Sequence, residues 1–100
     1  MDKDKLNSLL NDTGTVLVEF YATWCPHCRR MAPVVDDLKV LLDGRATVYQ
    51  FDIDRNGGLA DELGAKSVPT FIIYRNGEEK WRTVGEIDGQ ALLSKVEEYI

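Results

Sequence analysis

Helical spacings and short apolar runs alternate along this chain. Leu6, Leu9 and Leu10 stand at i, i+3 and i+4 in a polar opening, which predicts a short amphipathic helix. Asn11-Asp-Thr-Gly14 ends it, with Gly14 suited to the left-handed conformation that closes helices. Residues Val16 to Ala22 are nearly all apolar, as in a central parallel strand covered on both faces. Glu19 interrupts that run. A carboxyl there is costly unless it has a partner, a water or a job, or reaches out to a sheet edge. From Arg29 to about Asp43 the residues Met31, Val34, Val35, Leu38, Leu41 and Leu42 fall on one helical face. Pro33 predicts a kink in that helix, and Gly44 is its stop signal.

The second half changes connectivity. Thr47 to Ile53 reads as a strand, Asp54 to Gly58 as a loop, and Leu59, Ala60 and Leu63 as a short helix closed by Gly64. Phe71 to Tyr74 and about Lys80 to Val84 read as strands around Asn76-Gly77, a strong hairpin signal. Asp88 is placed to N-cap a last helix that turns Leu92, Leu93, Val96, Tyr99 and Ile100 inward. Helical crossovers imply parallel pairing and a hairpin implies antiparallel pairing. The expected fold is therefore α/β, a mixed four-stranded sheet with helices on both faces.

Composition narrows the function. One hundred residues make a single domain, 1–100, large enough to bury a core. The net charge is -5 with no basic run, which argues against nucleic acid or an anionic membrane as partner. No apolar stretch is long enough to span a bilayer. The polar opening, Met1-Asp-Lys-Asp-Lys5, lacks a signal-peptide core. The cytoplasm is the expected location, and the mature form of a protein from the periplasm or another oxidising compartment is the alternative. A monomer is the default.

The chemistry concentrates in Trp24-Cys25-Pro26-His27-Cys28. These are the only two cysteines, and they lie three apart where a strand gives way to a helix. A helix start is electropositive, because unpaired N–H groups point out of it. That field favours a thiolate, the reactive form of cysteine. Two cysteines and the one histidine, His27, offer at most three ligands, so no metal is expected. A static disulfide across one helical turn is the plain alternative; so small a loop gives little stabilisation.

Several separated anchors make the chain resemble the thioredoxin family. Phe20-Tyr-Ala-Thr-Trp-Cys-Pro-His-Cys28 is similar to its active-site stretch, and Pro33 to its helix proline. Ser67-Val-Pro-Thr70 is similar to its cis-proline loop, Tyr74-Arg-Asn-Gly77 to its hairpin and Val84-Gly85 to the edge of its substrate groove. The resemblance implies thiol–disulfide exchange without a cofactor, on disulfide-containing protein substrates, with a thioredoxin reductase as second partner. It makes Cys25 the exposed attacker and Cys28 the more buried resolver. It implies a cis Pro69 opposite the cysteines, and a Val68 backbone that pairs with an extended substrate. Trp24, Ile53, Val68, Val84 and Gly85 become an apolar docking rim, with the charge of Glu86 beside it selecting against acidic partners. Trp81 is left to packing.

The departures from the family are informative. Pro26-His27 replaces the usual Gly-Pro and is similar to the dipeptide of periplasmic disulfide-forming oxidases. His27 is expected to donate to the thiolate and make the pair more oxidising than a Gly-Pro thioredoxin. Glu19 stands for the family's buried Asp, which takes a proton from the resolving cysteine through a water. Gln50 replaces a lysine often found near that acid, and burial is expected to raise the Glu19 pKa. The usual first strand is missing, so strand two becomes an edge guarded by Asp52 and Asp54. Two other functions stay open: a disulfide-forming or isomerising enzyme of an oxidising compartment, and a redox-inert binding module of the same fold.

Overall fold

A computed structural model describes residues 2–100, with side chains from Asp4 onward. The order is α1 (Asp2–Asn11), β1 (Thr15–Tyr21), α2 (Pro26–Leu42), β2 (Thr47–Asp52), α3 (Gly57–Glu62), β3 (Thr70–Arg75), β4 (Glu78–Val84) and α4 (Gly89–Glu97). The four strands form one sheet in the order β2-β1-β3-β4. β1 pairs with β2 in parallel, Phe20 opposite Phe51, and with β3 antiparallel, Glu19 opposite Phe71. β3 and β4 are antiparallel, with a bulge between Ile73 and Tyr74. This is the mixed sheet that the crossover and hairpin signals imply, and β2 is an edge.

The two-residue period of β1 separates two cores. Val16, Val18 and Phe20 point to one face, where they meet Leu9, Phe51, Leu59, Ile72 and Tyr74. Leu17 points to the other, where it meets Met31, Val35, Leu38, Leu42, Phe71, Ile73, Leu92 and Val96. Glu19 shares the parity of Leu17, so the register carries it to the α2 side of the sheet. Burial on both faces explains why β1 reads as a nearly continuous apolar run, broken only at Glu19.

The sequence places some features differently from the structure. Leu10 and Leu41 are exposed, Leu41 by 53 %, although both fit the apolar spacing of their helices. The covered stripe of α2 is narrower, with Met31, Val35, Leu38 and Leu42 buried and Val34 at its border. Ile100 lies beyond the end of α4 and is also exposed. Gly14 is not left-handed; its N–H donates instead to Asp12 Oδ1 at 2.8 Å. Gly44 and Gly64 do take positive φ, as helix stops should. Asn76 and Gly77 have φ of 54° and 77°, the paired left-handed conformation of a type I′ hairpin turn. α2 begins at Pro26, so the cysteine pair does sit at a helix start, where a proline at the first helical position sacrifices no hydrogen bond.

Candidate active site

β1 delivers the chain to the sheet's end, and Cys25 becomes the N-cap of α2 with φ −87° and ψ 119°. Cys28 lies one turn further, its side chain packed with Ala22, Cys25, Tyr21, Ile53 and Val68. Both cysteines are free thiols and only 4 % exposed. By solvent exposure alone, then, Cys25 is not the more open of the two. Their electrostatics distinguish them. The backbone N–H of Cys28 is the main influence lowering the Cys25 pKa, with the Cys28 thiol, the His27 N–H and the Arg29 charge adding to it. As a thiol Cys25 makes no capping hydrogen bond; as a thiolate it collects the unpaired donors of the first helical turn. Cys28 goes the opposite way. Burial pushes its thiol up to about 11, and the neighbouring Cys25 and Glu19 charges push in the same direction. The two thiols act on each other, Cys28 lowering the Cys25 pKa and Cys25 raising that of Cys28.

Glu19 does not reach a sheet edge: it is 1 % exposed. Burial raises its pKa, while Gln50 Nε2 donates to its Oε1 at 2.9 Å and Lys39 on α2 partly offsets the shift. Gln50, the residue read as a lost lysine, is thus the hydrogen-bond partner of the buried acid. Its position beside Glu19 in the parallel register was legible; its donation was not.

The Val68–Pro69 bond is cis, and Pro69 is buried. The loop brings the Val68 carbonyl within 3.8 Å of Cys25 Sγ. The Pro69 carbonyl accepts a hydrogen bond from the Gly85 N–H at 2.8 Å, which ties the loop to the end of β4. The rim residues come from four segments. Trp24 is 62 % exposed and Val84 is also exposed, whereas Ile53 and Val68 are half-buried against the cysteines. Gly85 has φ 96°. Trp24 Nε1 donates to Asp54 Oδ2 at 2.9 Å, an anchor that sequence reasoning missed. Asp54, read as an edge guard, holds the indole. Trp81 packs in the second core with Lys95 over its ring.

His27 differs from its expected geometry. Its Nδ1 lies 2.6 Å from Glu86 Oε2 and 2.9 Å from Arg30 Nη2, so the imidazole faces a carboxylate–guanidinium pair. What His27 offers Cys25 is its backbone N–H. Glu86 also differs: its carboxylate is engaged by Arg30 and His27, which hold it at about 2, rather than standing free beside the groove. A carboxylate is a stronger acceptor than a neutral thiol, and it wins the ring.

No group of three or more His, Cys, Asp or Glu side chains that could hold a metal gathers among the described residues. Nor, among them, is any helix long and apolar enough to cross a membrane.

A helix-capping cysteine, a second cysteine one turn on and a cis Val68–Pro69 bond beside them thus meet at one end of the sheet. The thioredoxin family model matches residues 1–98, and the chain belongs to that family. It is 38 % identical to the chloroplastic M-type thioredoxin of Pisum sativum over 85 % of its own length and 49 % of that protein. It is 32 % identical to the thioredoxin of Rickettsia conorii over 100 % of its length and 95 % of that protein. The chain thus spans about half of its chloroplast relatives and nearly all of this bacterial one. Among solved structures, a single-residue mutant of a thioredoxin from Halobacterium salinarum superposes with a TM-score of 0.87 at 36 % identity, covering 96 % of this chain and 83 % of that one.

Proposed function

We propose that this chain is a thioredoxin with a Cys-Pro-His-Cys centre that reduces protein disulfides. The observation that carries the reading is the placement of Cys25 at the N-cap of α2, with Cys28 packed one turn behind it and the Val68 carbonyl of the cis-proline loop 3.8 Å from Cys25 Sγ. The Cys25 pKa is lowered and that of Cys28 raised. The Cys25 thiolate attacks one sulfur of a substrate disulfide, forming a mixed disulfide and releasing the other sulfur as a thiolate that takes a proton. The Cys28 thiol then passes its proton to Glu19 through a water and attacks Cys25 Sγ. The second substrate thiolate leaves, and Cys25 and Cys28 end as a disulfide. Two electrons and two protons, delivered by a thioredoxin reductase, restore the dithiol.

The other residues serve these two attacks. Pro26 opens the helix whose N–H groups stabilise the attacker. Pro69 presents no N–H to compete for the sulfurs and keeps the loop's Val68 carbonyl beside Cys25. Trp24, Ile53, Val68, Val84 and Gly85 form the surface on which an extended substrate lies, with the Val68 backbone pairing to it. His27 tunes the thiolate through its backbone N–H. The protein works as a monomer in a reducing compartment such as the cytoplasm.

Insulin reduction with dithiothreitol as electron source tests the activity. The chain is expected to precipitate insulin B chain well ahead of dithiothreitol alone, and no acceleration refutes the reading. The Pro26-His27 dipeptide favours a second reading, an oxidase or isomerase, and a redox titration against glutathione separates the two. A potential near that of a reducing cytosol supports the reductase; one well above it reverses the direction of electron flow.

A further inference from the structure

Glu86 lies just beyond the docking rim, and its carboxylate reaches across to the first turns of α2. Arg30 grips it with two donors: Nε is 3.2 Å from Oε1 and 3.0 Å from Oε2, and Nη2 is 2.8 Å from Oε2. The same Oε2 lies 2.6 Å from His27 Nδ1. The carboxylate is brought there by Gly85, whose left-handed φ of 96° turns the chain out of β4, and whose N–H is fixed to the Pro69 carbonyl. One side chain from the β4–α4 connection therefore holds two α2 side chains close to the cysteine cap, one cationic and one that becomes so on protonation.

The position matters because of what surrounds Cys25. The groups acting on its sulfur are Cys28, the His27 N–H and Arg29 from α2 itself, with Arg30 interacting with it at longer range. Glu19 acts on Cys28 from the sheet below, and Asp54 holds Trp24. Of these side chains, Arg30 and His27 are the ones Glu86 engages. Each stabilises a thiolate as far as its positive charge is left uncompensated, and a thiolate stabilised in the dithiol makes the disulfide easier to reduce.

We propose that Glu86 is a positioning residue that holds the Arg30 and His27 side chains against itself and away from the Cys25 sulfur, and so keeps the Cys-Pro-His-Cys dithiol reducing. This clip rests on the reductase reading above and explains how a Pro-His dipeptide is compatible with it. Sequence alone does not reveal it, because the three residues come from two segments that only the fold brings together.

The test is the equilibrium in which the disulfide form and two glutathione molecules give the dithiol and one glutathione disulfide. Glu86→Gln is expected to shift it toward the dithiol by about two- to fivefold, the range that exposed charge pairs supply. The Cys25 thiolate, followed by its ultraviolet absorbance, should titrate at lower pH in that variant. In an Arg30→Gln/His27→Asn background the same Glu86→Gln change should shift neither readout. An unchanged equilibrium on Glu86→Gln, a shift toward the disulfide, or a full shift persisting in the background without the two cations overturns the clip. Insulin reduction by the unmodified chain reads the activity separately. A chain that fails it but shows the Glu86 shift loses the reductase reading and keeps the clip.

Discussion

The mouth of the site and its floor lie one helical turn apart and treat the same side chain in opposite ways. At the mouth, Cys25 meets the unpaired N–H groups of α2, and ionisation is favoured. At the floor, Cys28 meets apolar packing, a neighbouring thiolate and a buried carboxylate, and its proton is held until about 11. Both cysteines are equally covered at the surface, but the helix N–H groups act chiefly on Cys25 and desolvation in the packed interior chiefly on Cys28. In the proposed exchange the cap is the cysteine that attacks first.

Removing each sulfur in turn should break the comparison most severely. Cys25→Ser is expected to lower disulfide reduction by at least about a thousandfold, because nothing else at the mouth can attack. Cys28→Ser should keep the first attack and lose turnover, accumulating a mixed disulfide with substrate visible by mass spectrometry. If Cys28→Ser left Cys25 unable to join substrate, the assignment of attacker and resolver would be reversed.

Glu19→Gln probes the floor alone. The resolving step should slow by about a hundredfold, the usual loss for a general base, while alkylation of Cys25 changes little. Stability should move the other way. Burial raises the Glu19 pKa, so the folded state binds this proton more tightly than the unfolded chain does. Its favourable contribution is present below the ordinary value of 4.5 and is lost as pH rises through the raised pKa. At neutral pH the ionised carboxyl is therefore a burden, and Glu19→Gln should raise the melting temperature, more so above the raised pKa than at pH 4. Equal melting curves at both pH values would show that Glu19 is solvated in solution.

Much of this arrangement is legible from the chain because it depends on backbone. The apolar run of β1, the Cys-x-x-Cys pair after it and the Asn76-Gly77 turn each specify local geometry, and the strand order follows from the connections. The Asp88 cap is legible for the same reason; its side chain accepts from the Ala91 N–H at 3.1 Å. What escapes is the pairing of long polar side chains across segments. Gln50 to Glu19, Asp54 to Trp24 and Glu86 to His27 and Arg30 all join residues distant in sequence. Leu41 escapes for another reason: helical spacing marks a candidate face, but only the partner element decides how wide that face is.

Alkylation kinetics sharpen the contrast between the thiols. Cys25 lies below the ordinary 9.0 and Cys28 at about 11, so their thiolate fractions at neutral pH differ by more than about a hundredfold. A less basic thiolate is a poorer nucleophile, which reduces the rate difference to about tenfold. Iodoacetamide should modify Cys25 in Cys28→Ser about ten times faster than Cys28 in Cys25→Ser. The dithiol's own stability follows the same asymmetry: the proton held on Cys28 contributes below the ordinary 9.0, and that contribution is lost as pH rises through about 11. Equal alkylation rates would mean that the cap position does not select the attacker.

The smallest expected effect concerns the rim of the mouth, where binding and chemistry should separate. Trp24 is largely exposed, yet its indole is oriented by the 2.9 Å hydrogen bond to Asp54. An aromatic ring held in place on a surface offers contact area without much loss of side-chain freedom on binding. Trp24→Ala should raise KM for a protein disulfide about fivefold, equivalent to about 1 kcal/mol. Because the ring does not touch the proton balance of either sulfur, iodoacetamide should alkylate Cys25 at its original rate. Asp54→Ala leaves the ring but frees it, so its KM effect should be about twofold. A change in Cys25 alkylation on Trp24→Ala would move the tryptophan from docking surface to thiolate environment, and the division between rim and mouth would fail there.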